Sequence, residues 1–409
     1  MKKFFLEAGP VLRALTRSRA GAVLIALQCA ITLAILTNAI FIIQDRVRQM
    51  ARPSGVDSEN VFSMRVKPYK PGFNLANDID RDMAAIRAMP GIVDAGVINS
   101  LPLSEGGSSG RIYQSPDIKP GDGQFTANYY TDDHSLGSLG LKLVEGRGFL
   151  PEEVKRGDRT ADRGEASIIL SQTLAKKMFP GGGPVAGKTL YTDDGTAQHV
   201  VGVVERLQAP WISFGELEQA MLLSQYRLEP AYLVYVIRSQ PGQRNALMPQ
   251  VEKKLQELDP DRIIRSPRTQ SEIESDTYAS YRAMAVILGT VIVLIVAVTS
   301  LGIIGLASFN VNVRRKQIGT RRALGAQKGD IIRYFLVESW LITTGGALVG
   351  VGLSFALSWW MVNTFDLPPL DWRYVPVGVL FLWVLGQIAV LAPARRAAEL
   401  PPALATRSA

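Results

Sequence analysis

Asn310-Val-Asn-Val-Arg-Arg-Lys-Gln-Ile-Gly-Thr-Arg-Arg-Ala-Leu-Gly-Ala-Gln-Lys-Gly-Asp-Ile-Ile-Arg-Tyr-Phe-Leu-Val-Glu338 is a short basic segment set between two long apolar runs. Arg314, Arg315, Lys316, Arg321, Arg322, Lys328 and Arg333 stand against one acid, Asp330, ahead of the closing Glu338. A short loop with this excess of bases stays on the cytoplasmic side of a membrane. Its apolar members are also ordered. Ile318, Ala323 and Leu324 fit one face of a short helix that Gly325 ends, and Lys328 to Arg333 opens the next helix. The plain reading is a solvated positive-inside loop; the sharper one is a folded element that meets a partner.

Working outward, residues 283–309 enter this segment and 335–362 leave it, each long enough to cross a bilayer as a helix, which takes about 20 apolar residues. Residues 21–43 and 374–392 make two further spans. The first is too long for a signal peptide and has no small-residue cleavage site, so it reads as a retained anchor. Bases cluster at Lys2, Lys3, Arg13, Arg17 and Arg19 before it, in the 310–334 loop, and at Arg395, Arg396 and Arg407 in the 393–409 tail. The N-terminal 1–20, the loop and the tail therefore lie inside, and 45–282 and the short 363–373 loop lie outside. The net charge of +8 is concentrated at these three places and leaves the remainder slightly acidic. It marks membrane edges and gives no nucleic-acid surface. Cys29, inside the first span, is the single cysteine, so no disulfide forms within one chain. Gln28, Thr32, Thr37 and Asn38 of that span are expected to face another helix, and Gly346 and Gly350 in the third to allow close helix contact.

Residues 45–282 have globular composition. Strands are expected at 60–67, 92–98, 231–238 and 262–265, with helices at 76–89 and 243–258. A βαβ-like unit thus stands at each end, giving one split α+β subdomain with about 100–230 inserted. The insert shows strands at 124–130, 141–145, 167–170, 199–204 and 220–223 and a helix at 171–179.

Three patterns resemble chemistry. Gly182-Gly-Pro-Val-Ala-Gly-Lys-Thr189 fits G-x-x-x-x-G-K-[ST], but a helix precedes it, a strand follows, and it lies outside the membrane, so no nucleotide site is expected. Gly106-Gly-Ser-Ser-Gly110 fits G-x-S-x-G, yet its Gly/Ser context reads as a flexible loop, with only His134 and His199 available as a base. Asp132-Asp133 and Asp193-Asp194-Gly195 read as turns or weak calcium contacts. No catalytic residue, metal site or cofactor is expected in this chain. Glu338, an acid one turn or so inside the third span, either snorkels to water or pairs with a loop base such as Arg322 or Arg333.

Arg314–Ala326 followed by Asp330-Ile331 and Glu338 resembles the signature of FtsX-like ABC-transporter permeases, and most closely the MacB-type branch. That family usually has Glu where this chain has Gln317. The resemblance extends to Asn99–Leu103, Leu139–Phe149, Ile168–Ser171 with Ala175–Pro180, Pro184–Leu190, Val201–Val204 and Ala394–Ala398. It implies an α-helical membrane protein of four spans with an α+β periplasmic domain, multi-pass in a bacterial inner membrane. It implies a coupling loop in which Gln317, Ile318, Gly319, Arg321, Arg322, Ala323, Leu324 and Gly325, with Glu338, meet a separate ABC ATPase that binds ATP and Mg. A second permease copy or paralogue, a periplasmic adaptor and an outer-membrane channel are further implied partners, and the cargo is a drug, peptide or lipid-like molecule. The alternatives are a lipoprotein-releasing permease of the LolC type, or a non-transporting FtsX-like regulator of an envelope enzyme.

Overall fold

The computed structural model describes residues 19–68, 74–118, 121–157, 164–213, 215–229, 233–365 and 367–401. The first eighteen residues, 231–232 and 402–409, which carry parts of the expected tails and of one expected strand, lie outside the described residues. The chain divides into a helical unit, Met1–Ala51 with Ser280–Ala409, and an α+β unit, Arg52–Ala279.

The α+β unit begins β1 (Val61–Pro68), α2 (Leu75–Arg87), β2 (Ile92–Ile98), following a first helix α1 (Arg19–Met50) that belongs to the helical unit. The insert follows: β3 (Ser108–Tyr113), β4 (Gln124–Tyr130), α3 (Ser135–Leu139), β5 (Leu143–Gly146), β6 (Lys155–Gly157), β7 (Ala166–Ser171), α4 (Gln172–Met178), β8 (Thr189–Thr192), β9 (Ala197–Val204), β10 (Ala220–Leu223) and β11 (Gln225–Arg227). The unit closes with β12 (Val234–Ser239), α5 (Arg244–Leu258), β13 (Arg262–Thr269) and α6 (Gln270–Thr277).

The two ends form one antiparallel sheet in the order β13-β1-β12-β2. Alternation along the strands turns one face inward. Phe62, Met64 and Val66 of β1 and Tyr235 and Ile237 of β12 pack on Ile79, Met83 and Ile86 of α2 and Val251 and Leu255 of α5. This is the split βαβ arrangement in which two crossover helices cover one side of the sheet. Asn74 caps α2 by accepting from the Asn77 amide. A buried ion pair fastens the layers: Arg262 Nη1 lies 2.5 Å from Asp82 Oδ2, which also accepts from the Tyr235 hydroxyl at 3.0 Å.

The insert is a second sheet, β5-β9-β7-β10-β4-β3-β8, in which β8 pairs with β3 on one side and β9 on the other. The ladder therefore returns on itself, and closure removes the free edges of the strands in the ring. Its core gathers Ile112, Ile168, Leu170, Leu190, Val200 and Met221 with Leu174 and Met178 of α4. β3 corrects the sequence reading: the Gly/Ser stretch expected to be a flexible loop starts a strand at Ser108 that pairs with β4. β13 runs to Thr269, beyond the expected short strand, and tolerates Pro267 because it is an edge strand of its sheet.

The helical unit contains α1 and then α7 (Ala279–Val313), α8 (Arg315–Ala323), α9 (Lys328–Phe365) and α10 (Tyr374–Ala398). Four of these, all but α8, are long and apolar enough to cross a membrane. The apolar window of α1 is 56% buried and that of α7 is 11% buried, so α1 is the central helix and α7 the peripheral one. The polar residues of α1 do face neighbours. Thr32 and Thr299 hydroxyls lie 2.8 Å apart, Thr37 donates to Ser354 Oγ at 3.1 Å, and Asn38 Nδ2 donates to the Ser354 carbonyl at 3.0 Å. Gly346 and Gly350 lie against α1. A Cβ at Gly346 would come within 2.5 Å of the Ala26 carbonyl, and one at Gly350 within 3.0 Å of Ala30 and Leu33. Gly345 and Gly352 face open space.

Candidate functional site: the α8 helix and its supports

The basic segment is folded. α8 is two turns long and corrects the sequence reading: Ile318 turns inward, but Ala323 and Leu324, expected on the same face, are exposed with the polar residues because the helix ends there and only its first half is seated. Ile318 and Gly319 are buried, and Ile318 joins a core of Ile303, Ala307 and Val311 from α7, Ile331 and Phe335 from α9, and Ala394, Ala397 and Ala398 from α10. The alanines of the C-terminal Ala-Arg-Arg-Ala-Ala run thus seat α8. Gln317, Arg321, Ala323 and Leu324 are exposed, Leu324 by 84%, and Arg322 is half-buried with its Nε unbonded.

Both ends of α8 are fixed. At its start, Arg314 donates from Nη1 to Glu338 Oε2 at 3.0 Å and to the Tyr334 hydroxyl at 3.1 Å. The pair is sequestered, with side chains 14% and 4% exposed. Glu338 is therefore paired, but through neither base named from the sequence. Arg314 stands where α7 breaks and α8 begins, and the turn of chain there swings it back onto α9. The guanidinium of Arg321 stacks 5.1 Å from the Tyr334 ring centre and ties the far half of α8 to the same helix. At the end of α8, Gly325 has φ +95°, its amide donates to the Arg322 carbonyl at 3.2 Å, and the Ala326 amide donates to the Arg321 carbonyl at 3.0 Å. These two bonds make a Schellman motif, which satisfies carbonyls the helix would leave bare. The next helix is then started by Asp330, whose carboxylate accepts from the Gln327 amide at 3.1 Å and pairs with Arg333 at 2.5 Å.

The other patterns have structural occupations. In the Gly182–Thr189 turn, Glu145 Oε1 accepts from the amides of Val185 at 2.6 Å and Ala186 at 2.8 Å, so a carboxylate of the chain already fills the place of a phosphate. Lys188 Nζ lies 4.1 Å from the Phe179 ring centre, and β8 follows directly. Ser108 begins a strand with no helix behind it, so no nucleophile elbow exists there. His199 Nδ1 lies 3.3 Å from Thr189 Oγ1. His134 Nδ1 lies 2.7 Å from Asp94 Oδ1, and this bond raises the imidazole above its ordinary value. Asp132 is buried beside them and accepts from the Val97 amide at 3.1 Å, burial pushing its carboxyl up to about 6. Asp194 accepts from Thr192 and Thr196 in the β8–β9 turn, which Gly195 completes at φ +79°. Among the described residues, no group of three or more His, Cys, Asp or Glu is placed to hold a metal ion.

Comparison with known proteins supplies the family. Residues 30–258, more than half of the chain, match the MacB-like periplasmic core domain, and 289–402 match the FtsX-like permease C-terminal region. The ABC transporter permease YknZ of Bacillus subtilis is 26% identical over 288 residues, covering 65% of this chain and 66% of that protein. The macrolide export ATP-binding/permease protein MacB of Chromobacterium violaceum is 26% identical over 281 residues, covering 64% of this chain and 40% of that protein. The matched region is thus less than two thirds of either relative's length. The crystal structure of the YknZ extracellular domain aligns with a TM-score of 0.32 at 13% identity, covering 50% of this chain and 100% of that one. The periplasmic region of MacB from Actinobacillus actinomycetemcomitans gives 0.32 at 14%, covering 56% and 97%. On the two family matches, found in family order along one chain, this protein belongs to the FtsX-like ABC-transporter permeases with a MacB-like periplasmic core domain.

Proposed function

We propose that the chain is the permease subunit of a mechanotransmission complex in a bacterial inner membrane, with α8 as the part that meets a separate ABC ATPase. One observation carries the reading: α8 is a short helix locked at both ends, with Gln317, Arg321, Ala323 and Leu324 turned outward. A loop that is merely solvated has no need of a buried ion pair at one end and a Schellman turn at the other. A coupling element must resist deformation, because displacement lost in bending is not transmitted. Closure of the ATPase on ATP and Mg pushes α8, and α7 and α9 carry the displacement toward the periplasmic domain. A second permease copy or paralogue completes the assembly. An adaptor and an outer-membrane channel serve export of a drug, peptide or lipid-like cargo.

The test is charge reversal at Arg322. Arg322→Glu is expected to leave insertion intact and to weaken co-purification with the ATPase about tenfold, since charge pairs across an interface carry couplings of about 1.5 kcal/mol or more. Unchanged co-purification and unchanged ATP turnover would return α8 to a solvated loop. The sidedness has its own check. A cysteine at Gly157 is expected to react with an impermeant maleimide added from outside, and one at Gly319 only after the membrane is opened. Cytoplasmic labelling of Gly157 is the outcome that defeats the transport reading.

A further inference from the structure

The insert lies back on the split sheet along the edge of β2. Thr131 bridges Ile98, its hydroxyl donates to the Val97 carbonyl at 2.8 Å, and Asp132 Oδ2 accepts from the Val97 amide at 3.1 Å. The chain then turns into α3, which packs on β2 and β12. Ala95 and Val97 of β2 belong to the core under the helices, so Asp94 and Gly96 face the other way, toward α3. Gly137 lets α3 come down on Asp94, because a Cβ there would strike the Asp94 carboxylate. The Leu139 carbonyl at the end of α3 accepts from the Asp57 amide at 3.0 Å.

His134 stands at the start of this docked helix, between carboxylates from both partners. Its Nδ1 lies 2.7 Å from Asp94 Oδ1, on the split sheet, and its Nε2 lies 3.8 Å from Asp133 Oδ2, on the insert. A neutral imidazole has one N–H and must turn a lone pair toward one of the two; the imidazolium offers an N–H to each. The remaining charges come from every side. From α2, Arg87 lies 3.8 Å from Asp94 and 3.6 Å from Asp132. From β12, Arg238 stands across the ladder from Asp94, and it reaches Gly140 at the far end of α3, as does Asp57. From β6 and β11, Arg156, paired with Asp80 at 2.8 Å, and Tyr226 act on Asp132. The ring thus sits among Asp94, Asp132 and Asp133, and its protonation cuts the local excess of carboxylates by one charge.

We propose that His134 is an acid-closed latch: its imidazolium joins Asp94 of the split sheet to Asp133 of the insert, and α3 docks more firmly as the medium around the domain acidifies. The bond to Asp94 raises the imidazole above its ordinary value of 6.5, and burial carries Asp132 from 3.8 to about 6. Both groups hold their protons more tightly in the docked state than free, so docking takes up protons. The His134 contribution is whole below 6.5 and is lost as pH rises through its raised value. Asp132 adds in the same sense, losing its share between 3.8 and about 6. The inference deepens the transport reading, on which it rests for the pH that the domain meets, by making the stiffness of the moving domain depend on external acid.

Two measurements on the purified full chain in uncharged detergent test it. The chain has two histidines, so His199→Gln leaves His134 as the single imidazole signal when histidine is labelled with carbon-13. Its titration midpoint is expected above 6.5, and Asp94→Asn is expected to lower it by about one pH unit, the size of one lost charge-assisted hydrogen bond. Hydrogen exchange of residues 132–140, corrected for the intrinsic rate, is expected to lose roughly tenfold in protection from pH 5.5 to 8.5, within the limit of about tenfold per pH unit for one linked proton. His134→Gln is expected to cut that loss to about threefold or less. Asp94→Asn serves the exchange arm in the same way should H134Q fail to fold. A midpoint at or below 6.5, protection in the parent that does not change with pH, or a full pH response in the variant overturns the proposal. No ATPase is present in either measurement, so failure here leaves the Arg322 test of coupling untouched.

Discussion

Glu338→Ala is expected to be the most damaging single change in the helical unit, costing about 3–5 kcal/mol, the range for breaking a buried ion pair by removing one partner. The alanine leaves the Arg314 guanidinium, 14% exposed, facing the space of its former partner. The Tyr334 hydroxyl alone does not compensate a full charge. The measurement is thermal unfolding in detergent together with ATP turnover of the assembled complex. Arg314→Met with Glu338→Leu separates stability from coupling. Apolar residues of similar volume often replace a buried pair at no loss of stability. The double variant is therefore expected to melt near the parent temperature while its ATPase stimulation stays low, because α8 has lost the anchor at its start. A double variant that restores both would show that the pair has no part in transmission, and a Glu338→Ala chain that melts like the parent would show the pair to be energetically idle.

The second large effect is expected at the other end of α8. Leu324, 84% exposed beside the Schellman turn, is an apolar knob without cover in the isolated chain. A buried interface anchor typically costs about 2 kcal/mol or more when lost, roughly a thirtyfold change in affinity. Leu324→Asp is expected to weaken ATPase binding by that order and to leave the melting temperature of the permease unchanged. Gly325→Val complements it by attacking shape. A Cβ at Gly325 meets no atom within 4 Å, so any effect comes from the backbone at φ +95°. Left-handed backbone costs an ordinary L-residue about 1–2 kcal/mol, and a β-branched one more. The Schellman bonds are then expected to open, with coupling lost and the membrane helices retained. Equal ATPase binding by Leu324→Asp and the parent would remove α8 as the contact.

The sequence is informative where a pattern is repeated and long. The four apolar runs and the strands 92–98, 124–130 and 220–223 stand out because apolar density or β-branched alternation is sustained over them. The helices run past their apolar runs, as α1 does to Met50 and α9 from Lys328 to Phe365, since the backbone ladder continues into polar residues that hydropathy does not register. β3 was hidden by its Ser-Ser-Gly opening; only its pairing with β4 and β8 makes it a strand. β6 and β11 are three residues each, too short for any period to show. At the α8 site, the inward Ile318 and the Gly325 stop are legible because helix periodicity and glycine chemistry are local. The partner of Glu338 is not. Arg333 is near in sequence but lies on another face of the same helix, whereas Arg314, twenty-four residues away, is brought in by the break between α7 and α8. The seat provided by Ala394, Ala397 and Ala398 is equally tertiary, although the small residues at that spacing were a signal that something packs closely there.

The split sheet also sets how the α+β unit bears a pull. Its two leads to the rest of the chain enter β1 and leave β13, and Phe62 stands opposite Thr269, so both leads emerge at the same end of one antiparallel ladder. Tension that parts them loads the ladder bond by bond from that end, the zipper geometry, in place of the stronger shear in which all bonds share the force. A clasp ties the leads together near the ladder: Arg244 Nη1 holds the Ser58 carbonyl at 2.8 Å and Ser271 Oγ at 3.1 Å, and Ser58 Oγ donates to Glu274 Oε1 at 2.5 Å. Behind it, the Thr269–Glu272 capping box stiffens the start of α6. One arginine from α5 thus bridges both leads at the end of the ladder where a pull would open it.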